Sequence, residues 1–430
     1  MVNQTQFKKF LFISWICLSG DLAWQVKKEG HEVKVYIEDK ADADVYDGIL
    51  DKVEKWEDYI DWADVIIFDD TGFGLIVDKL RKKGKLVVGG CVYSDKTEED
   101  RGFGQEEMKR FGMNVLPNHN FTDFDLAINF LKTHPDRYVF KPNGQVGDEK
   151  NVLFIGEEED GRDIIEILEH NKKAWIKKTK SFQLQKFVAG VEVAVGAFFN
   201  GKKFIYPINV NFEHKRLFPG ERGPFTGEMG TLMYWTNSSP LFFDTLKKME
   251  KILSDYNYVG YFDINCIVNG RGIYPLEFTA RFGYPTISVQ MEGILTPMGE
   301  FLFNLARGED FELRTKKGFQ IGVVVAVPPY PFFSDKIFSI YKDSSILFKN
   351  GHGSEGIHLG DVKMADGDLK LAGESGYALV VTGSGITVEE ARNQAYGRLK
   401  NIRLLDMFYR VDIGTRWLRD SDKLQAWGYI

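Results

Sequence analysis

The chain has 430 residues and a mass of 49.2 kDa, enough for two to four domains. Hydrophobic residues make up 43% and charged residues 27%, and 8 Trp, 18 Tyr and 34 Phe supply bulk for sizeable cores, which excludes a disordered or low-complexity chain. The net charge is −7 with no long basic run, so a grip on nucleic acid through phosphate contacts is not expected. Cys17, Cys91 and Cys266 are odd in number and far apart, which leaves no disulfide frame or CxxC zinc pattern and points to a reducing cytosol.

Lys8 and Lys9 precede a mostly apolar stretch, Phe10 to Ser19. A secretory leader has this look, but the stretch is too short to span a bilayer and no small-x-small cleavage site follows. The next residues read as a helix (Asp21 to Glu29) and a strand (His31 to Ile37), so a buried parallel strand and a cytoplasmic protein are expected. Strands at Ala63–Phe68 and Leu86–Gly89 flank a helix at Gly74–Lys83, the rhythm of a doubly wound sheet. Glu98 to Phe111 reads as one further helix that ends at Gly112. From about residue 115 short strands dominate: Tyr138–Lys141, Phe182–Val188 and Val191–Phe199, the last two broken by Ala189-Gly190. That is an α+β texture. Beyond residue 310, strands are expected at Gly322–Val327 and Tyr377–Thr382. A helix is expected from Thr387 to Lys400, with Thr387 and Glu390 at capping-box spacing.

The most informative segment runs from Gly260 to Gly283. Asn269-Gly270-Arg271 is a turn signal between two strand patterns. A turn centred on Gly270 sets Asp263 opposite Glu277. One face then carries Tyr261, Asp263, Asn265, Glu277, Thr279 and Arg281, and the other carries Ile264, Cys266, Leu276, Phe278 and Ala280. Facing carboxylates repel unless a cation lies between them. Either a divalent cation such as Mg²⁺ bridging phosphates resolves this, or Arg281 neutralises one acid on a solvated face. Lys141, at a strand end before the loop Asn143 to Lys150, suits holding phosphates, although no P-loop is present. Glu192 would accept from ribose hydroxyls, or is simply a polar-face residue. His214-Lys215-Arg216 and the glycine-rich stretch Gly223 to Gly230 offer cations and amides to a developing acyl phosphate, or form a solvated charge run. No Ser-His-Asp or Cys-His arrangement is legible.

Together these pieces resemble the ATP-grasp enzymes, and most closely the phosphoribosylamine–glycine ligase family. The likeness rests on Pro275 to Thr286, Thr226-Gly-Glu-Met-Gly230, Glu213-His-Lys-Arg216, Thr387-Val-Glu-Glu-Ala391, Ala395-Tyr396 and Asp412-Ile-Gly-Thr-Arg416. It implies three domains: an N-terminal doubly wound parallel sheet (1–112), a central ATP-grasp domain (113–312, with its ATP lid at about 115–190) and a small C-terminal α/β domain (313–430). It implies an ATP-dependent carboxylate–amine ligase of purine synthesis that works through an acyl phosphate, with Mg²⁺, or Mn²⁺ in its place. A paralogous ligase with a different amine or carboxylate, or an inactive nucleotide-binding scaffold, are the alternatives. By the same resemblance, Arg101, Lys141 and Lys150 hold ATP phosphates, Gln185, Lys186, Phe187 and Val188 form the adenine hinge, and Glu192 holds the ribose. Asp263, Glu277 and Thr279 ligate the metal; Arg281, Lys215 and His214 serve the chemistry. The expected partners are small molecules, an amino acid such as glycine and an amine, with no membrane, in a monomer or homodimer. The family's glycine-rich N-terminal loop departs here to Ser14-Trp-Ile-Cys-Leu-Ser-Gly20, where Asp21 would cap the helix.

Overall fold

The computed structural model describes residues 7–143, 153–175, 177, 179–349 and 355–430. The apolar run after Lys8 is β1 (Lys9–Ser14), followed by α1 (Gly20–Lys28), β2 (Glu32–Ile37), β3 (Asp51–Lys52), β4 (Val65–Phe68), α2 (Gly74–Lys82) and β5 (Val87–Val88). All four pairings are parallel, in the order β3-β2-β1-β4-β5. Phe10, Leu11, Phe12 and Ile13 of β1 are all buried, because a central parallel strand is covered on both faces. The single helix expected over 98–111 is instead two, α3 (Val92–Glu99) and α4 (Arg101–Arg110). Asp100 stands between them in an extended conformation, and its side chain accepts from the Phe103 N–H at 3.0 Å. A short acid that can cap a new helix ends the old one there.

A second unit follows: β6 (Asn118–Phe121), α5 (Phe124–Thr133), β7 (Tyr138–Asn143), β8 (Phe154–Ile155), α6 (Arg162–Trp175) and β9 (Ser181–Lys186). Its four-stranded sheet, ordered β6-β9-β7-β8, has its own core of Phe124, Leu131, Phe140, Ile164, Leu168 and Phe182. Ala189-Gly190 therefore separates two sheets rather than two strands of one. β10 (Val191–Asn200) opens an eight-stranded sheet with β11 (Ile208–Glu213); a small hairpin of β12 (Arg216–Phe218) and β13 (Arg222–Phe225) precedes β14 (Gly230–Thr236). After α7 (Pro240–Asp244) and α8 (Glu250–Asp255) come β15 (Val259–Asn269), β16 (Gly272–Thr279), α9 (Thr286–Gly293), α10 (Met298–Ala306) and β17 (Phe319–Ala326). The chain continues through α11 (Asp335–Phe338), β18 (Leu347–Phe348), β19 (Ile357–Leu359), β20 (Val362–Ala365), β21 (Asp368–Leu371) and β22 (Tyr377–Gly385). It closes with α12 (Val388–Leu399), β23 (Ile402–Arg403) and α13 (Trp417–Ala426).

The large sheet runs β16-β15-β10-β11-β14-β17-β22-β19, so it crosses the expected boundary at residue 313. Both bonds of the Thr387–Glu390 capping box are present. All three cysteines are buried and free.

Candidate active site

The hairpin at the edge of the large sheet differs from its expected register. Its turn is the two residues Gly270 and Arg271, because Asn269 pairs with Gly272. A bulge then intervenes between Asn265 and Cys266, so Asp263 faces Thr279 and Asn265 faces Glu277. Pro275, opposite Cys266, has no N–H for the ladder, which is where a bulge is tolerated. The two acids are thus not direct partners, although they share a face.

That face continues across the sheet, since Ala194 pairs with Asn265 and Asn211, and Gly196 pairs with Asp263 and Asn209. Asp263 is buried; its Oδ2 accepts from Tyr261 Oη (2.9 Å) and Asn211 Nδ2 (3.2 Å). Asn209 donates to Tyr261 Oη (2.9 Å) and Asn265 to Glu213 (3.2 Å). Gly196 is required beneath this network: a Cβ there would lie 1.9 Å from Tyr261 Oη. Sequence reading missed Asn209 and Asn211, and took Glu213 only as part of a motif, because strand alternation does not tell a buried polar face from a solvated one.

Lys215 is the hub. Its ammonium sits 3.1 Å from Glu192, 3.3 Å from Glu213 and 3.5 Å from Glu277. Its carbonyl accepts from both the N–H and the hydroxyl of Thr226 (2.8 and 2.9 Å), so the Thr226 to Gly230 loop fixes it. Burial alone would lower the Lys215 ammonium, but the three glutamates outweigh it and hold it well above its ordinary value. Burial likewise pushes Glu192 up, yet Lys215 and Arg416 prevail and keep it low. Burial and the Glu213 charge push Asp263 and Glu228 well above the carboxylate range.

The basic trio does not act as one cluster. His214 is wholly buried, its Nε2 accepts from the Gly414 N–H (3.4 Å), and burial and Arg416 push it down to about 3. The imidazole is therefore neutral and enclosed, held against the Gly414 backbone rather than beside the Lys215 cluster. Arg216 lies 3.6 Å over the Phe225 ring. Arg281 is bound to Asp70 (3.0 Å) and Glu98 (3.2 Å), at the junction with the N-terminal sheet.

From the other side come Lys141 and Arg101. Gln105 of α4 exchanges amide bonds with Gln183 of β9 (2.9 and 3.2 Å), and Gln183 pairs with Lys141. Arg101, one turn earlier on α4, is thereby set beside Lys141. Lys141 is buried, donates to Gln185 Oε1, and is lowered to about 7 by burial and then by Arg101, with Lys215 adding and Glu277 and Glu192 opposing. Along the hinge, Lys186 pairs with Asp136 and Arg137 lies 3.6 Å over the Phe187 ring. Among the described residues the Val188 N–H makes no backbone hydrogen bond. Lys150 lies outside the described residues. Arg416, which sequence reading took only as a marker, donates to the Glu192 carbonyl (3.3 Å).

Among the described residues no three His, Cys, Asp or Glu side chains form a ready metal cage. Mg²⁺ does not need one, as it is commonly held by one or two carboxylates and substrate phosphates. The residues fit that use: Glu277 is half exposed, and the buried Oδ1 atoms of Asp263 and Asn265 have no hydrogen-bond partner among the described residues.

Residues 99–287 match the family model described as Phosphoribosylglycinamide synthetase, ATP-grasp (A) domain, and 320–416 match Phosphoribosylglycinamide synthetase, C domain. Phosphoribosylamine–glycine ligase of Streptococcus pneumoniae (strain ATCC BAA-255 / R6) is 25% identical over 359 residues, covering 82% of this chain and 83% of that protein. The crystal structure of phosphoribosylamine–glycine ligase from Thermotoga maritima superposes with a TM-score of 0.69 at 23% identity, over 94% of this chain and 100% of that one. Biotin carboxylase from Campylobacter jejuni shares the fold, with a TM-score of 0.63 at 13% identity over 99% and 97% of the chains. The two matched domains, in family order on one ATP-grasp fold, show that the chain belongs to the phosphoribosylglycinamide synthetase family of ATP-grasp proteins.

Proposed function

We propose that the protein is an ATP-dependent carboxylate–amine ligase of purine synthesis, of the phosphoribosylamine–glycine ligase type that names its relatives. The observation that carries this is the opposition of two charge sets. Arg101 and Lys141 face the acids Glu192, Glu213 and Glu277 gathered on Lys215. The cations suit nucleotide phosphates, and Glu192 suits a ribose. Gln185, Lys186, Phe187 and Val188 would border the adenine. Glu277, with Asn265 and Asp263, would hold Mg²⁺, which when bound offsets phosphate charge.

A carboxylate oxygen of the amino acid, glycine by analogy with the relatives, attacks the γ-phosphorus, and ADP leaves with the bond pair. The neutral amine then forms the C–N bond, the C–O bond to phosphate breaks with its pair on phosphate, and the amine proton passes to solvent. Arg281 and Lys215 would supply positive charge to this exchange, and His214, bonded through its backbone to Gly230 and Met229, would hold the loop that bears Lys215. A cytoplasmic setting fits the three reduced, buried cysteines. Hydroxylamine traps acyl phosphates whatever the native amine is. Hydroxamate formed with ATP, Mg²⁺ and an amino acid is the expected result, and its absence across the amino acids would reject the ligase reading.

One observation favours a different amine from that of the relatives. The Ser19 amide and hydroxyl at the first strand–helix turn are already bound to Asp69.

A further inference from the structure

Several acids of the N-terminal unit bond to backbone amides elsewhere in the chain. Asp21 does not cap α1 as expected but takes the Leu359 N–H (3.0 Å) and binds His358 Nδ1 (2.7 Å). Glu29 takes the Met298 and Gly299 N–H groups (2.9 and 2.8 Å), which open α10 and so lack partners within it. Both contacts fasten one unit to another. Glu98 does more. Its Oε2 takes the Ala280 N–H (2.6 Å), and its Oε1 lies 3.2 Å from Nη2 of the next residue, Arg281. One carboxylate thus fixes the backbone just past β16 and the side chain that follows it.

Arg281 is held on two further sides. Asp70 Oδ1, which also accepts from the Thr71 N–H (2.8 Å), lies 3.0 Å from Nε, and Nη1 donates to the Phe282 carbonyl (2.8 Å). Nε nevertheless has no aligned hydrogen-bond partner among the described residues. The acids therefore orient the guanidinium by charge and do not exhaust its donors. Burial would lower Arg281, but Glu98 and then Asp70 outweigh it and hold the group above its ordinary value. The side chain is 23% exposed, so it can still meet an anion. Arg410 shows the contrast: at 0% exposure, bound to Asp412 and Glu221, it is enclosed.

The elbow that carries Glu98 also serves the nucleotide side. Glu98 lies in the last turn of α3, and Arg101, set beside Lys141, opens α4 after the Asp100 cap. The two helices and β16 are in close contact: a Cβ on Gly104 would be 2.5 Å from the Thr97 carbonyl oxygen and 3.8 Å from the Phe278 ring. Gln105, one turn beyond Arg101, exchanges its amide bonds with Gln183 of β9. One packed elbow therefore bears the phosphate cation Arg101, the contact to β9 and the acid that holds Arg281. Close packing of this kind transmits position, since neither helix can shift without moving the other.

Resting on the ligase reading, we infer that Glu98 is the positioning residue of Arg281, and that the α3–α4 elbow sets this guanidinium against the phosphates held by Arg101 and Lys141. Glu98→Gln removes the charge but keeps an amide oxygen for the Ala280 N–H. The full chain and the variant are compared by hydroxamate formation with ATP, Mg²⁺ and the amino acid that serves the wild type. Calorimetry with MgADP measures nucleotide binding separately. Turnover is expected to fall about tenfold or more, with the MgADP Kd changed by less than about twofold. A merely structural part would loosen the elbow and weaken nucleotide binding through Arg101 as well. In an Arg281→Lys background, Glu98→Gln should cost less than about threefold further, because its effect runs through the arginine. Asp70→Asn, which keeps an oxygen for the Thr71 N–H, tests the same guanidinium if Glu98→Gln does not fold, and the same split is expected. Wild-type turnover in the folded variant, a parallel loss of MgADP affinity, or an equal loss in the Arg281→Lys background would each overturn the inference while leaving the ligase reading intact. Absence of hydroxamate from the wild type would remove both.

Discussion

Lys141 holds its charge under strain from burial and from Arg101, and sits near 7 as a result. Phosphate oxygens beside it would favour the ammonium, so nucleotide binding must raise its proton affinity. ATP binding at about pH 8 is therefore expected to take up close to one proton, and affinity should weaken as pH rises above 7. Calorimetry in buffers of different ionisation enthalpy measures this directly; proton release, or uptake unchanged in Lys141→Met, would show that the lysine does not meet the phosphates. Glu277 poses a different case. It is 50% exposed, faces Asn265 and shares Lys215 with two other glutamates. An exposed pair of this kind contributes at most about 1 kcal/mol to stability, while a metal ligand is worth several in the transition state. Glu277→Gln should thus lose turnover by roughly a hundredfold or more with a nearly unchanged melting temperature. Near-wild-type kcat would remove Glu277 from the metal site.

β10 carries the polar face between β11 and β15, and its glycine shows how closely the strands' side chains meet. Gly196→Ala would force a methyl into Tyr261 Oη and to within 2.7 Å of Asp263 Oδ2. Overpacking of this sort costs about 1–3 kcal/mol, so both melting temperature and turnover should fall. Gly397, inside α12, has nothing within 4 Å of its Cβ position. Gly397→Ala should raise stability by about 1 kcal/mol, and a thermal melt of the pair of variants separates the two effects. The same elements show where sequence sufficed. β1, β4 and α12 were legible because uninterrupted apolar runs and a capping box depend on near neighbours alone. The β15–β16 register was not, because the bulge beside Pro275 shifts every pairing beyond it and only strand contact reveals it. Asp100 divided a helix that periodicity joined. Lys215 was visible only as one of a basic trio; its three glutamate partners lie 23, 2 and 62 positions away, a convergence that only the fold supplies.

Across the whole molecule, the seam between the N-terminal sheet and the rest concentrates carboxyl groups raised by burial. Asp69 is pushed up to about 6, Asp42 and Asp95 to about 7, and Asp361 to about 8. Unfolded, each would titrate near 4. Between those values the native chain binds more protons than the unfolded one, so stability declines as pH rises through the window. Asp263 and Glu228, held well above the ordinary range, act in the same sense. Three histidines and Lys141 oppose it; burial lowers His31 and His119 from their ordinary value. His214, pushed down to about 3, makes the unfolded state the better proton binder up to its ordinary value of 6.5, and Lys141 does so from about 7 upward. Four aspartates, with Asp263 and Glu228, against three histidines still leave a net decline from about pH 5 to pH 7, with a shallower slope above 7 where Lys141 titrates. Thermal melts across pH 5 to 9 should show the melting temperature falling over the first two units. Asp361→Asn should flatten that slope, since it removes the group whose protonation persists longest among the four. High salt should change it little, because the groups are enclosed. A melting temperature that rises from pH 5 to 7 would mean that these carboxyl groups are ionised in the folded protein, each with a cation beside it.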